Sequence, residues 1–224
     1  KPFVADLAPT ERVPPSLRQQ YIFVPANVRD VYLVHALRDV TAAGLTAIVF
    51  TSSCRTCETL ASTLVALDVP CAPLHSQQTQ QRRLAAIGRF KQGTLKLLVA
   101  TDVASRGIDI PAVAVVFNHN VPALPKDYVH RCGRTARAGR AGRSVTFVSQ
   151  YDVELLLAIE AHIDAKIEPL EPKEDQVLAL MNEVASARRT ALLQLTDNGF
   201  LEKEKERRAL RKAEREAGGG GGGG

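Results

Sequence analysis

The first candidate for chemistry is an arginine-rich segment, His130-Arg-Cys-Gly-Arg-Thr-Ala-Arg137. Four of its eight side chains are cationic or can become so, and they repel one another unless an anion is present. Arg134 and Arg137 are three positions apart, so on one helical turn their guanidinium groups can close on a single phosphate. That geometry stabilises charge on a transferred phosphoryl group. The alternative is a solvated arginine cluster on the surface.

A second candidate runs from Ala100 to Asp109 and reads ATDVASRGID. Thr101 offers a hydroxyl, and Gly107 lets another group approach the backbone closely. Asp109 can accept hydrogen bonds from a ribose hydroxyl or hold an arginine. The competing interpretation is structural, because Thr, Asp and Gly at the end of a strand also cap the next helix.

Alternating apolar runs and helical stretches predict an α/β fold on a parallel sheet, with helices on both of its faces. The predicted strands span Gln20–Val24, Thr46–Thr51, Cys71–Leu74, Leu95–Ala100, Ala112–Asn118 and Ser144–Ser149. The predicted helices span Asn27–Ala42, Ser53–Leu67, Thr79–Gln92, Pro125–Gly133 and Tyr151–Ile163. Because ligands bind beyond the carboxyl ends of such strands, both candidate segments are expected at that rim.

The chain divides into four predicted parts. Residues 1–18 form a proline-rich linker, and the α/β domain occupies 19–165. Apolar helical spacing without further strands predicts a helical extension over 166–217, which ends in a charged, solvated helix. Residues 218–224 are all glycine, and without a preceding strand or a following helix they predict a flexible tail instead of a dinucleotide-binding loop.

Composition narrows the class of protein. The 224 residues are 45% hydrophobic, which suffices for a folded core, yet no apolar run approaches the roughly 20 residues of a membrane-spanning helix. The net charge of +5 favours a polyanionic partner such as nucleic acid.

The four cysteines are expected as free thiols. The segment Cys54-Arg-Thr-Cys57 lacks the second pair that a zinc site would need, so no metal site is predicted.

Together the two candidate segments resemble motifs V and VI of the DEAD-box RNA helicases, which read close to A-T-D-V-A-x-R-G-x-D and H-R-x-G-R-x-x-R. The resemblance covers roughly residues 20–163 in family order. Ile48-Val-Phe-Thr-Ser-Ser53 resembles motif IV, and Leu74-His-Ser76 and Gln80-Gln-Arg-Arg83 resemble the Leu-His-Gly and Gln-x-x-Arg segments. Ser76, Cys132 and Ala136 depart from the common pattern, the last standing as a near-isosteric replacement of glycine.

The sequence contains no Gly-x-x-x-x-Gly-Lys-Ser/Thr, Asp-Glu-Ala-Asp or Ser-Ala-Thr segment. The family carries these on its first RecA-like lobe. The resemblance therefore implies the second RecA-like lobe of an ATP-dependent RNA helicase, with a helical extension and without activity of its own. Segments 117–126, 137–140 and 150–152 and the arginine pair at 188–189 resemble the nucleolar subgroup of small-subunit ribosome biogenesis.

The resemblance also implies how the nucleotide is held. ATP and Mg²⁺ would be held mainly by the first lobe, while Arg134 and Arg137 reach the γ-phosphate as arginine fingers. Asp109 would take the ribose hydroxyl, and Gly107 would allow the close approach to the nucleotide. Expected partners are the first lobe, pre-ribosomal RNA and a protein activator, for a nucleolar monomer with no membrane association.

On the RNA side, the resemblance implies contacts between the RNA backbone and Ser52, Arg83 and Thr101. His130 and Arg131 would couple closure of the two lobes to RNA binding. Two other functions stay open from the sequence. One is a non-catalytic module that binds RNA or protein, and the other is half of a DNA translocase.

Overall fold

The computed structural model describes residues 13–105, 108–137 and 139–218, with side chains up to residue 210. Seven parallel strands form one sheet in the order β3-β4-β2-β5-β6-β1-β7. Its strands are β1 (Leu17–Phe23), β2 (Ala47–Thr51), β3 (Ala72–Leu74), β4 (Leu97–Thr101), β5 (Val115–Asn118), β6 (Gly142–Val148) and β7 (Glu168–Pro169). The predicted RecA-like α/β fold is confirmed.

Helices connect the strands and continue beyond the sheet. They are α1 (Arg29–Ala42), α2 (Cys54–Ala66), α3 (Gln80–Lys91), α4 (Asp102–Ser105), α5 (Pro125–Cys132), α6 (Val153–Ile163), α7 (Glu174–Leu178), α8 (Met181–Asp197) and α9 (Phe200–Gly218). No helix in the described ranges is both long and apolar enough to cross a membrane.

The central strands are buried on both faces, which explains why they read as unbroken apolar runs. Every residue of β2, β4 and β5 is buried. Along β2, Val49 packs into the core formed with α1 and α2, while Ile48 and Phe50 pack into the core formed with α3. A third cluster joins β6 to α5 and α6 through Val148, Tyr128 and Ile159. Side chains alternate between faces, as strand geometry requires.

The extension packs on the same lobe. Helix α8 contacts α2 and α1, and it buries Val184, Ala187, Ala191 and Leu195. The two-residue strand β7 pairs with β1. Neither β7 nor the four-residue helix α4 was predicted, because elements this short leave no periodic apolar signal. Strand β1 begins at Leu17 instead of Gln20, since polar residues at its start hide its pairing with β6.

Candidate nucleotide and RNA contact surfaces

The structure separates the predicted site residues into two groups at opposite ends of the sheet. Thr101 is the last residue of β4, and Ser52 follows the end of β2. Arg134 instead lies beside the start of β5, where its carbonyl oxygen accepts a hydrogen bond of 2.9 Å from the Val113 amide. The expectation that both segments lie beyond the carboxyl ends of the strands is therefore met by Thr101 and is wrong for Arg134.

Chain direction explains this separation. After α4 the chain returns toward the amino end of β5, and α5 runs back across the sheet over about 12 Å. The loop that follows α5 consequently reaches the beginnings of the strands. Asp109 is carried to the same end, where its carboxylate forms an ion pair of 2.7 Å with Lys91, the last residue of α3.

Asp109, Arg134 and Arg137 form what we call the Asp–Arg cluster. Hydrogen bonding and charge from Lys91, then the charges of Arg137 and Arg134, lower the pKa of Asp109. Burial and the repulsion of Arg137 lower the pKa of Arg134, with Asp109 acting in the opposite direction. Within the described ranges no carboxylate forms an ion pair with the Arg134 guanidinium. The cluster is thus a positively charged site whose one carboxylate is already engaged.

A close approach between backbones fixes the loop that carries these arginines. The Thr135 hydroxyl donates a hydrogen bond of 2.6 Å to the Val113 carbonyl oxygen. A Cβ atom on Gly142, the first residue of β6, would lie 2.5 Å from the Ala136 amide nitrogen. Ala136 itself has φ of 53°, in the left-handed region that favours glycine. The alanine is therefore similar in size to the family's glycine but not equivalent to it in backbone freedom.

Arg137 is exposed, and its Nε donates a hydrogen bond to the carbonyl oxygen of Gly133, within the same turn. This contact holds the start of the guanidinium group against the chain. Gly107, which was expected near the nucleotide, lies outside the described residues.

We use "carboxyl rim" for the edge at which β2, β4 and β5 end. There the Thr101 hydroxyl is buried and has no hydrogen-bond partner among the described residues. Ser52 is exposed, and its amide donates to Asn120 Oδ1 at 3.0 Å. Arg83 bridges α3 and α4 by donating to the Ala104 carbonyl oxygen at 3.3 Å. The rim therefore brings together the three predicted RNA contacts.

Arg131 is buried inside the lobe, with 2% of its surface exposed. Its guanidinium donates twice to Asp102, at 2.6 and 2.8 Å, and also to Asn118 Oδ1 at 3.1 Å and the Asn120 carbonyl oxygen at 2.7 Å. It also lies over the ring of Phe50. In this conformation Arg131 therefore cannot present its charge at the surface.

His130 points the other way from its neighbour in sequence. About half of its side chain is exposed, 51%, and its Nδ1 lies 3.8 Å from Asp127 Oδ1. Of the two residues predicted to couple the lobes, only His130 is thus accessible to a second lobe.

The four cysteines are free thiols, as expected. Cys57 is fully buried, whereas Cys54 begins α2 at the carboxyl rim and lies 3.5 Å from the Ser76 hydroxyl. Next to it, His75 Nε2 lies 2.5 Å from Glu58 Oε2. Partial burial opposes ionisation of the Cys54 thiol, but hydrogen bonds with His75 and Ser76 lower its pKa to about 7. In the described part of the chain, no three His, Cys, Asp or Glu side chains are placed to hold a metal ion.

Sequence reasoning missed Lys91, Asp102 and Asn120 as members of these two surfaces. Asp102 and Asn120 had a usable signal, because each lies at or just beyond the end of a predicted buried strand, where polar side chains meet. Lys91 had none, because it stands on a helix far along the chain from Asp109.

Comparisons with known proteins identify the family of this chain. Residues 31–139 match the family model of the helicase conserved C-terminal domain. The chain is 43% identical over 205 residues to the mouse protein named probable ATP-dependent RNA helicase DDX49, covering 91% of this chain and 43% of that protein. The chain belongs to the DEAD-box RNA helicase family.

Solved structures of DEAD-box proteins share its fold. The Escherichia coli DEAD-box protein SrmB, crystallised with regulator of ribonuclease activity A, matches with a TM-score of 0.66 and 34% identity over 71% of this chain and 93% of that chain. Domain 2 of the DEAD-box helicase Mss116p, bound to an RNA duplex, matches with a TM-score of 0.60 and 28% identity over 82% of this chain and 78% of that chain.

This DEAD-box chain corresponds to the C-terminal RecA-like lobe. It spans only 43%, 40% and 35% of the length of three curated helicases that it matches.

Proposed function

We propose that this lobe completes the ATP site of a two-lobe RNA helicase through Arg134 and Arg137, and that it holds single-stranded RNA along the carboxyl rim. One observation carries the proposal. Arg134 is half-buried beside a second arginine without an ion pair among the described residues, while Arg131, three positions earlier, has its donors satisfied. A half-buried cation in this setting favours an anionic ligand.

On the ATP side, the Asp–Arg cluster would receive the γ-phosphate from a nucleotide held mainly by the first lobe. Arginine guanidinium groups match phosphate oxygens, and arginine fingers contribute about 10³ to 10⁵ in rate to phosphoryl transfer. Asp109 would accept from the ribose hydroxyl, with Gly107 allowing the close approach. Mg²⁺ would be held by the first lobe, since this cluster offers mainly cationic donors.

On the RNA side, Ser52, Arg83 and Thr101 would contact phosphates and 2′-hydroxyl groups. These groups carry little base information, so binding would tolerate sequence and weaken as salt increases. The Thr101 hydroxyl, which has no partner in the part of the chain that the structure describes, supports this assignment, because a buried donor is normally satisfied by a partner or ligand.

Closure of the lobes would link the two surfaces. ATP and RNA would both favour the closed arrangement, and hydrolysis would release it. His130 would contact the first lobe directly because it is exposed. Arg131 would act from within the lobe, by fixing Asp102 at the start of α4.

A role in ribosomal RNA processing rests on the resemblance of segments 117–126, 137–140 and 150–152 to the nucleolar subgroup. Pre-ribosomal RNA as ligand, a protein activator, a monomeric state and a nucleolar location belong to the same proposal. RNA crosslinking in cells and localisation of the tagged full-length protein test this part separately from the enzymology.

RNA-stimulated ATPase of the full-length, two-lobe protein tests the arginine assignment. Arg134→Ala and Arg137→Ala should each lower kcat by about a thousandfold or more. Arg140→Ala is the matched control, since it removes the same charge from an exposed position of the same loop and should leave kcat unchanged. Unchanged turnover in the first two variants would overturn the assignment.

Two measurements address the other functions. Domain 2 of the DEAD-box helicase Mss116p has been solved bound to an RNA duplex, which favours the binding-module alternative as a property of this lobe. Tight, salt-steep RNA binding by the present chain alone would support that role. Equal activity on RNA and on DNA of the same sequence would instead support a translocase.

A further inference from the structure

The C-terminal extension is connected to the carboxyl rim by a continuous series of polar contacts. It begins on α8, where the half-exposed side chain of Arg188 reaches back to the lobe and its Nη1 donates to Asp30 Oδ2. Asp30 lies in the first turn of α1 and is buried, with 8% of its surface exposed. Burial opposes its charged form, but His119 and Arg188 outweigh that effect and lower the pKa of Asp30. The buried carboxylate therefore depends on partners from two distant parts of the chain.

The second partner of Asp30 is His119, directly after β5. Its Nε2 lies 2.7 Å from Asp30 Oδ1, and its Nδ1 lies 3.3 Å from Asn120 Oδ1. Both ring nitrogens face oxygen atoms, and 5% of the residue is exposed. The orientation of the imidazole ring is therefore set by both neighbours at once.

Asn120 connects His119 to the carboxyl rim. Its Oδ1 accepts the Ser52 amide at 3.0 Å, which holds the turn between β2 and α2. Its carbonyl oxygen accepts from Arg131 Nη1 at 2.7 Å, and Arg131 in turn holds Asp102. Asn120 is thus the point at which the contacts from the extension meet the contacts from the arginine-rich segment.

We infer that Arg188 and Asp30 are positioning residues for RNA binding, acting through His119 and Asn120 on the Ser52 turn. The inference rests on the proposed function, in which Ser52 contacts the RNA backbone. Without Arg188, His119 is the remaining partner of Asp30 among the described residues, and the ring is no longer fixed between two restrained oxygens. Asn120 can then turn away, and the Ser52 amide loses the acceptor that sets its position.

The chain provides a matched control in the next residue. Arg189 is exposed on the same helix and forms no ion pair among the described residues, so Arg189→Ala removes the same charge without breaking the series. The measured quantity is the RNA concentration for half-maximal ATPase stimulation of the full-length protein. Arg188→Ala should raise it about fivefold, a typical coupling between sites, with kcat and the KM for ATP unchanged. Arg189→Ala should leave all three values unchanged.

A double-mutant cycle and hydrogen exchange separate positioning from general structural damage. In an Asn120→Ala background, Arg188→Ala should have no further effect on RNA binding, because the contact through which it acts is gone. Arg188→Lys should recover part of the affinity. The Ser52 amide should exchange faster in Arg188→Ala than in Arg189→Ala.

The outcomes distinguish this inference from the proposed function. If the wild-type protein shows no RNA-stimulated ATPase, the proposed function is overturned, and the inference with it. If RNA stimulates the wild type but Arg188→Ala and Arg189→Ala behave alike, or the two effects at 188 and 120 simply add, the inference alone is overturned.

Discussion

Two arginines from one short segment occupy opposite environments. Arg131 is enclosed by Asp102, Asn118 and Asn120 and bonds to all three. Arg134 lies half-buried at the other end of the sheet beside Arg137, without an ion pair among the described residues. The first arrangement stabilises the lobe, and the second leaves a cation available for a ligand. Residue type and spacing do not distinguish these roles, whereas burial and bonding partners do.

The largest expected effect tests this contrast through stability. Arg131→Ala should lower the free energy of unfolding by about 3–5 kcal/mol, because it leaves Asp102 and two polar groups of the rim without their partner. Arg134→Ala should change it by about 0.5 kcal/mol or less, since it also removes repulsion with Arg137. Urea unfolding of the two variants measures both values. Similar losses of unfolding free energy would contradict the claim that only Arg131 stabilises the lobe.

A second prediction concerns the loop that holds Arg134. Gly142→Ala should lower the free energy of unfolding by about 1–3 kcal/mol, because the new Cβ meets the Ala136 backbone. It should also lower the ATPase rate of the full-length protein, as the loop is displaced with its arginines.

Gly88→Ala is the control for this substitution. Gly88 lies in α3 with open space around the position of a Cβ, so alanine there should stabilise by up to about 1 kcal/mol. If Gly142→Ala were equally well tolerated, the close approach would not fix the arginine loop.

The smallest expected effect is a difference in alkylation rate among the cysteines, which compares a partly exposed thiol with buried ones. Cys54, with its pKa near 7, should be alkylated fastest, at a rate that rises with pH through about 7 as the thiolate forms. Burial raises the pKa of Cys57 far above the ordinary value, that of Cys71 to about 12 and that of Cys132 to about 11. Mass spectrometry of iodoacetamide-labelled peptides measures each rate. Cys54→Ser should remove the fast phase, and a fast phase elsewhere would contradict the assignment.

The parallel sheet could be predicted from the sequence because its central strands are buried on both faces. The unbroken apolar runs that became β2, β4 and β5 carry that signal directly. Both candidate segments could also be found, since charged and polar residues of fixed spacing stand out beside buried strands.

The placement of the two candidate segments could not be predicted, because it depends on where the helices and loops between the strands end. That Arg134 reaches the start of β5 follows from the length of α5 and the return of the chain after α4. That Arg131 is enclosed follows from Asp102, the first residue of α4, and Asn118, the last residue of β5. The left-handed backbone of Ala136 could not be predicted either, because alanine and glycine were compared by size and side-chain size does not reveal a φ angle.

The most direct test of the Asp–Arg cluster compares two ligands of the full-length protein in the presence of RNA. An arginine that stabilises the transferred phosphoryl group should matter for ADP with aluminium fluoride, which mimics that group, and not for ADP alone. Arg134→Ala should weaken binding of the mimic by about a hundredfold or more and leave the Kd for ADP unchanged. Equal weakening of both ligands, or of neither, would contradict the account.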